Sequence, residues 1–288
     1  MDLVEPVLQE KYDSLKRIIV QAGSATVAFS GGVDSTFLLK MCADLLGDRA
    51  LAVTARSETF PVRELEEARG LARQIGAKHI IIDSKELEVP GFSDNPPQRC
   101  FLCKTELFSK INEIASQHGT HCVFDGSNAD DPDDFRPGRI AAHQLGIRSP
   151  LEEAELSKKE IRTLSKMLNL LTWDKPSFAC LSSRFPYHTK ITKPALRQVE
   201  NAENYLWKLG MRAFRVRHHD AIARIELGKK EMSLLWKCSL RDQIVQHLKS
   251  LGYKYVTLDL EGYRTGSMNE TLTNDQLSLK YPCEGQKR

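Results

Sequence analysis

Ala25-Thr26-Val27-Ala28-Phe29 runs directly into Ser30-Gly31-Gly32-Val33-Asp34-Ser35, and a helical pattern follows from Thr36 to Leu46. An apolar strand, a glycine-rich turn and a helix N-terminus in that order make a cradle for phosphate. Gly31 and Gly32 let the backbone approach an anion closely, and the first N–H groups of the helix lack intrahelical partners. Ser30 and Ser35 add hydroxyls, and Asp34 is placed to hold Mg²⁺ or to order the loop. No Gly-Lys-Ser/Thr closes the loop, so this is not a Walker A motif. A Ser/Gly loop before a helix is otherwise a capped turn. The strand before it and the helix after it favour the cradle, with a phosphate-bearing ligand.

Outward from this loop, strands are expected at 25–29, 50–54, 79–82 and 121–125, with helices at 36–46, 62–75 and 101–117 between them. Pro61 suits the start of the second of these helices, and Gly76 a cap past its end. The alternation predicts an α/β fold, a parallel sheet with helices on both faces, and ligands at the carboxyl ends of its strands. Asp125 and Gly126, at the end of such a strand, are placed to line the nucleotide cleft with Ser127 and Asn128. A further helix at 157–169 leads to Asp174-Lys175-Pro176-Ser177.

Beyond residue 187 the pattern changes: a helix at 194–209, strands at 213–217 and 221–227, a helix at 229–250 and a strand at 254–260. The expected organisation is a first domain over 1–187, a smaller α+β substrate-binding domain over 188–266 and a poorly ordered polar tail over 267–288.

The length of 288 residues allows a sizeable core and two domains. A formal net charge of +3 gives no footprint for nucleic acid. No apolar run is long enough to span a bilayer, and Met1-Asp2-Leu3-Val4-Glu5 is acidic where a signal peptide is basic. An amphipathic helix is expected just behind it. Seven cysteines without a disulfide-scaffold spacing point to a reducing, cytoplasmic setting.

Cys100-Phe101-Leu102-Cys103 opens a helix, so its two thiols share one face. The helix N-terminus and the flanking Arg99 and Lys104 favour thiolate. A lone CxxC fits zinc, a redox pair or a buried apolar pair. Cys180, placed by expectation over the same cleft, sharpens the reading: three thiolates suit an iron–sulfur cluster with one iron open to an extra ligand. Structural zinc would need a fourth ligand such as His143 or Cys122. Cys42, Cys122 and Cys238 read as packing residues, and Cys283 as a thiol in the tail.

The chain resembles LarE-type sulfur transferases of the PP-loop (ATP pyrophosphatase, adenine nucleotide alpha hydrolase-like) superfamily over nearly its whole length. The resemblance rests on the S-G-G-x-D-S loop, Asp125-Gly126, Arg136-Pro137-Gly138, Ser182 to Tyr187, Arg215-Val216-Arg217, Ile222 to Leu227 and Thr257 to Leu260. It implies that Mg-ATP adenylates a carboxylate of a pyridinium biscarboxylate mononucleotide and that sulfur then displaces AMP. Some members sacrifice a cysteine; that position here is Ala179, with Cys180 next to it. Cys100, Cys103 and Cys180 match the branch in which three cysteines hold a [4Fe–4S] cluster, with a separate sulfide source. A homo-oligomer is also implied.

Lys175 is a candidate for neutralising phosphate charge, and Arg215 and Arg217, alternating on one strand, for gripping a substrate phosphate. Ser183 and Arg184 fall in the same inferred cleft, and Glu203 and Glu226 are matched acidic positions for metal or substrate. For Lys175, the Arg pair and the two glutamates a merely solvated side chain is the competing reading. The rival functions are a PP-loop tRNA sulfur transferase, disfavoured by the small net charge, and a non-catalytic sensor of ATP and a cluster. A PP-loop amidotransferase is less suited, since Met1-Asp2 offers no N-terminal cysteine nucleophile.

Overall fold

The computed structural model describes residues 5–131, 137–235, 238–264 and 267–272. In it, the apolar run before the glycine loop forms strand β1 (Ala25–Ala28), which pairs in parallel with β2 (Ala50–Arg56) and β4 (Cys122–Phe124). β3 (Lys78–Asp83) extends the sheet beyond β2, giving the order β3-β2-β1-β4. Helices α1 (Pro6–Ala22), α2 (Val33–Leu46), α3 (Val62–Ile75) and α4 (Arg99–Gln117) precede or link these strands. After β4 come α5 (Pro137–Gln144), α6 (Pro150–Glu153) and α7 (Lys158–Met167). The chain moves from β1 to β2 and β3 on one side and then crosses to β4 on the other. The carboxyl ends of β1 and β4 therefore flank a switch point, where α/β sheets bind ligands.

Side-chain alternation on β2 covers both faces of the sheet. Ala50 and Ala52 join a core with Leu15 and Ile19 of α1 and Phe37 and Leu38 of α2, while Leu51 and Val53 pack with Phe108 and Ile111 of α4. This is the parallel sheet with helices on both faces that the strand–helix alternation predicts. Cys42 is fully buried in the first core, and burial pushes its thiol pKa up, which keeps it an inert packing group.

The described chain divides into two compact units. One holds the residues up to Glu86 and from Cys100 to Phe178; the other holds Leu87 to Arg99 and the residues from Ala179 onward. The short segment joins the second unit through Asn95, whose side-chain amide donates to the Phe185 and Pro186 carbonyls at 3.3 and 2.6 Å. Arg99 adds a 3.0 Å bond to the Ser182 carbonyl.

The second unit contains α8 (Lys193–Lys208), β5 (Phe214–His219), β6 (Ile222–Leu227), α9 (Lys229–Leu234), α10 (Cys238–Ser250) and β7 (Tyr255–Leu258). β5 and β6 are antiparallel, and β7 adds to β6 in parallel. Phe214, Val216, Ala223, Ile225 and Leu227 face Ala202 and Leu206 of α8 and Ile244 and Leu248 of α10. The single helix expected over 229–250 is described as two pieces, α9 and α10; residues 236 and 237 lie outside the described residues.

The start of the expected disordered tail is ordered instead. Ser267–Thr271 form a 3₁₀ turn, because the buried Ser267 hydroxyl bonds Arg217 and Glu226 at 2.8 and 3.2 Å. Residues 132–136, which include Arg136 and part of the acidic run from Asp130 to Asp134, lie outside the described residues, as do 273–288 with Cys283.

Gly31 is the position where the loop tolerates no side chain. Its φ is +70°, and a Cβ there would meet Ala68 of α3 at 3.1 Å. Gly32 has an ordinary φ of −76° and its nearest obstacle is the Ser30 hydroxyl at 3.4 Å. Gly31→Ala is therefore expected to lower stability by about 1–3 kcal/mol and Gly32→Ala by about 0.5 kcal/mol or less. Denaturant unfolding of the two variants checks this; equal losses would contradict the conformational argument.

Candidate active site

The loop between β1 and α2 forms one wall of a cavity of about 630 Å³ in the first unit. Ser30, Gly32 and Ser35 line it from the loop and the first turn of α2, Asp125 to Asn128 from the end of β4, and Cys100 and Lys104 from α4. α2 starts at Gly32 without a side-chain cap. The N–H groups of its first turn are thus left for an anion, and the helix dipole adds to their pull. The loop hydroxyls brace one another: Ser30 Oγ and Ser35 Oγ are 3.1 Å apart, and the Ser30 N–H donates to Ser35 Oγ at 3.3 Å. Gly126 brings the β4 loop against this turn, since a Cβ there would meet the Ser35 nitrogen at 3.1 Å. Asp125 is engaged by the Ser127 and Ser149 hydroxyls at 2.9 and 2.7 Å, so its carboxylate orders the loop beside the cavity.

Asp34 projects from the first turn of α2, where Oδ2 is ion-paired with Lys158 and the buried Oδ1 accepts no hydrogen bond. Burial raises the Asp34 carboxyl above the ordinary carboxylate range; Lys158 pulls it back, and Asp131 pushes it up further. A buried carboxylate with an unsatisfied oxygen is the kind of group a hard divalent cation takes as a ligand. Lys175 clips the back of the loop. Its ammonium donates to the Gly31 carbonyl at 3.1 Å and pairs with Glu64 and Glu67 at 2.8 and 3.1 Å.

Cys100 and Cys103 stand on the first turn of α4, half-buried, with Cys100 on the cavity wall. Among the described residues no group of three His, Cys, Asp or Glu side chains gathers closely enough to hold a metal ion, so neither a zinc set with His143 or Cys122 nor the expected three-cysteine set is gathered there. Cys180 belongs to the second unit, where it precedes the 3₁₀ turn Leu181–Arg184.

That turn leads into two buried ion pairs. Arg184 is wholly buried and bidentate to Glu203 at 2.9 and 3.0 Å, and it also donates to the Ala179 carbonyl at 2.7 Å. Glu203 further accepts the Val216 N–H at 3.1 Å. Burial pushes the Glu203 carboxyl up, yet the charge and hydrogen bonds of Arg184 hold it below its ordinary range.

Arg217 is bidentate to Glu226 at 2.9 and 2.8 Å and donates to the Ser183 carbonyl at 2.7 Å. Arg215, its neighbour on the same face of β5, lies over the Tyr263 ring at 4.8 Å and donates to the Tyr263 hydroxyl at 3.1 Å. Burial and then the positive charge of Arg184 lower the Arg215 pKa.

The sequence reading singled out the loop, Asp125, Gly126 and the cysteines, and the structure brings the loop, Asp125, Gly126 and Cys100 to one cavity. It missed Lys158. The capping-box pattern Ser157-x-x-Glu160 marks the first turn of a helix and so the place of Lys158 on it, but not its reach to Asp34.

Comparison with known proteins agrees with this geometry. The NAD synthase family model matches residues 7–101, the stretch that carries the loop and α2. The chain is 42% identical to an uncharacterized protein of Synechocystis sp. over 93% of this chain and 100% of that protein. It is 42% identical to pyridinium-3,5-bisthiocarboxylic acid mononucleotide synthase of Lactiplantibacillus plantarum over 88% of this chain and 91% of that protein. An uncharacterized protein of Methanocaldococcus jannaschii is 29% identical over 90% of this chain and 94% of its own length. A glycine-rich loop at a helix N-terminus, on a sheet of this topology, and similarity spanning both units place the chain in one family: it belongs to the LarE-type sulfur transferases of the PP-loop superfamily.

Proposed function

We propose that this protein is an ATP-dependent sulfur transferase that converts the carboxylates of pyridinium-3,5-biscarboxylic acid mononucleotide to thiocarboxylates. The observation that carries the reading is the cavity at the carboxyl ends of β1 and β4, where uncapped helix amides, two hydroxyls and Asp34 converge. A carboxylate oxygen is a poor leaving group. Attack of that oxygen on the α-phosphorus of ATP forms an acyl-adenylate and expels pyrophosphate. A sulfur nucleophile then adds to the acyl carbon, and AMP leaves with the carboxylate oxygen.

In this reading the first-turn amides of α2 and the hydroxyls of Ser30 and Ser35 hold the β- and γ-phosphates, and Asp34 holds Mg²⁺. Asp125 and Gly126 keep the opposing loop at the distance the nucleotide needs. Lys175 acts on the phosphates from behind the loop by fixing the Gly31 carbonyl. Arg215 meets the substrate phosphate. Arg184 with Glu203 and Arg217 with Glu226 hold Ser183 and the β5 backbone in register beneath it, which is how these residues serve the substrate.

Two thiols at i and i+3 on a helix N-terminus, one of them on the cavity wall, suit a shared iron–sulfur cluster, with Cys180 as the third ligand. A [4Fe–4S] cluster held this way would supply an open iron for hydrosulfide from a separate sulfide source. Ala179 stands where a sacrificial cysteine would be needed, which supports a donor that leaves the polypeptide intact. The reading includes a cytoplasmic location and a homo-oligomer, with no role for nucleic acid or membrane. No helix among the described residues is long and apolar enough to cross a membrane.

Under anaerobic conditions with sulfide, pyrophosphate release is expected to require the biscarboxylate mononucleotide. Asp34→Asn should slow it roughly ten- to a hundred-fold, the loss of one charge-assisted contact, without a change in circular dichroism. Release that ignores the mononucleotide would contradict the substrate assignment. Cys100→Ala, Cys103→Ala and Cys180→Ala are each expected to lose sulfur transfer while part of the adenylation survives. The intact mass of the wild-type chain should be unchanged after many turnovers. A chain lighter by one H₂S, with transfer stopping at one sulfur per chain, would replace the cluster route with a sacrificial one.

A further inference from the structure

The peptide unit that enters the glycine-rich loop is held by side chains at both of its ends. The Ser30 N–H donates to Ser35 Oγ at 3.3 Å, and the Phe29 carbonyl accepts from Thr54 Oγ1 at 2.6 Å. Thr54 is buried on β2, one residue past Val53, where the pairing of β1 with β2 ends. Its hydroxyl also lies 2.8 Å from Nε2 of His79 on β3. His79 stands two residues before Ile81, the partner of Thr54 in the register, so the two side chains share a face of the sheet. The half-buried imidazole meets the Phe29 ring edge to face, with centroids 5.7 Å apart at 81°. His79 itself is not on the cavity wall.

Hydrogen counting fixes the direction of these bonds. A carbonyl only accepts, so the single hydroxyl hydrogen of Thr54 points at Phe29, and the Thr54 oxygen is left to accept from His79. Nε2 therefore carries a hydrogen. Burial, followed by the positive charge of Arg69, lowers the His79 pKa, which keeps the ring neutral near pH 7 with Nδ1 bare. A donor to a hydroxyl oxygen polarises its O–H bond and removes the other settings of the rotor, so the bond to Phe29 is strengthened and fixed in direction. We propose that His79 is a positioning residue for the phosphate loop: its Nε2–H sets the Thr54 hydroxyl, which holds the Phe29–Ser30 peptide plane and with it the Ser30 hydroxyl. This rests on the assignment of the loop to ATP. It adds a residue of β3 that the loop motif does not contain.

The tautomer is read on the wild type without any ligand. Nitrogen–proton correlation spectra of protein carrying nitrogen-15 histidine, with the His79 signal assigned by its loss in His79→Phe, should show a hydrogen on Nε2 at neutral pH; a bare Nε2 would overturn the relay. Calorimetric titration with inorganic pyrophosphate in Mg²⁺ then reads the effect on the loop. His79→Phe, which keeps a ring against Phe29 and removes the donor, should bind pyrophosphate about three- to ten-fold weaker than wild type. His79→Gln, which carries an N–H donor, should return to within about two-fold. In a Thr54→Val background, His79→Phe should weaken binding no further, because the histidine acts only through the hydroxyl. His79→Gln as weak as His79→Phe, additive losses in the double variant, or wild-type affinity in His79→Phe would overturn the proposal. A wild type that binds no pyrophosphate would overturn the assignment of the loop itself, and the tautomer then still reads the relay separately.

Discussion

The N-terminus of α2 is an uncapped helix end held at the carboxyl end of the interior strand β1, and the rest of the first unit is arranged around that constraint. Unpaired backbone N–H groups are costly wherever they are kept from water and have no partner. Here they are kept in place by a turn that needs Gly31 at positive φ, by the mutual bracing of Ser30 and Ser35, and by the close approach of Gly126 to the Ser35 nitrogen. Each of these contacts opposes the collapse that would satisfy the amides internally. In the function proposed for this loop, these donors would need no rearrangement when charge develops on a leaving phosphate.

The second unit meets a different problem with a different device. Its small sheet buries apolar side chains on one face, while the other carries Arg215, Arg217 and Glu226, with Arg184 and Glu203 close by. Bidentate pairing satisfies the forks of Arg184 and Arg217, and the remaining donors go to the Ala179 and Ser183 carbonyls. Removing one partner from such a pair strands a buried charge, which costs far more than the pair itself contributes. The pairs thus specify the path of the Cys180–Arg184 segment, and Arg215 is left beside them with a positive neighbour in Arg184 and a lowered pKa.

The strand–loop–helix core was legible in the sequence because its signals are local. An apolar run, a glycine pair and a helix-period pattern sit within a few residues of one another, and Asp125-Gly126 follows a strand at its carboxyl end. The parallel sheet followed from alternation alone. Long-range pairing was not legible. Nothing near Lys158 announces a partner 124 residues away, and nothing near Asn95 announces carbonyls about 90 residues on. Arg217 and Arg215 look alike as alternate strand residues, and the cross-strand register sets Glu226 directly opposite Arg215, yet the Glu226 carboxylate takes the fork of Arg217 diagonally while Arg215 bonds Tyr263. The start of the expected tail is ordered for the same reason: Ser267 completes an ion pair that lies far from it in the chain.

The central claim is that the loop serves an adenylation of a carboxylate. Heavy oxygen placed in the carboxylates of the biscarboxylate mononucleotide tests it most directly, with the nucleotide products read by mass spectrometry. The account predicts AMP carrying one heavy oxygen for each thiocarboxylate formed, together with unlabelled pyrophosphate. Unlabelled AMP, or ADP with heavy oxygen in free phosphate, would contradict it.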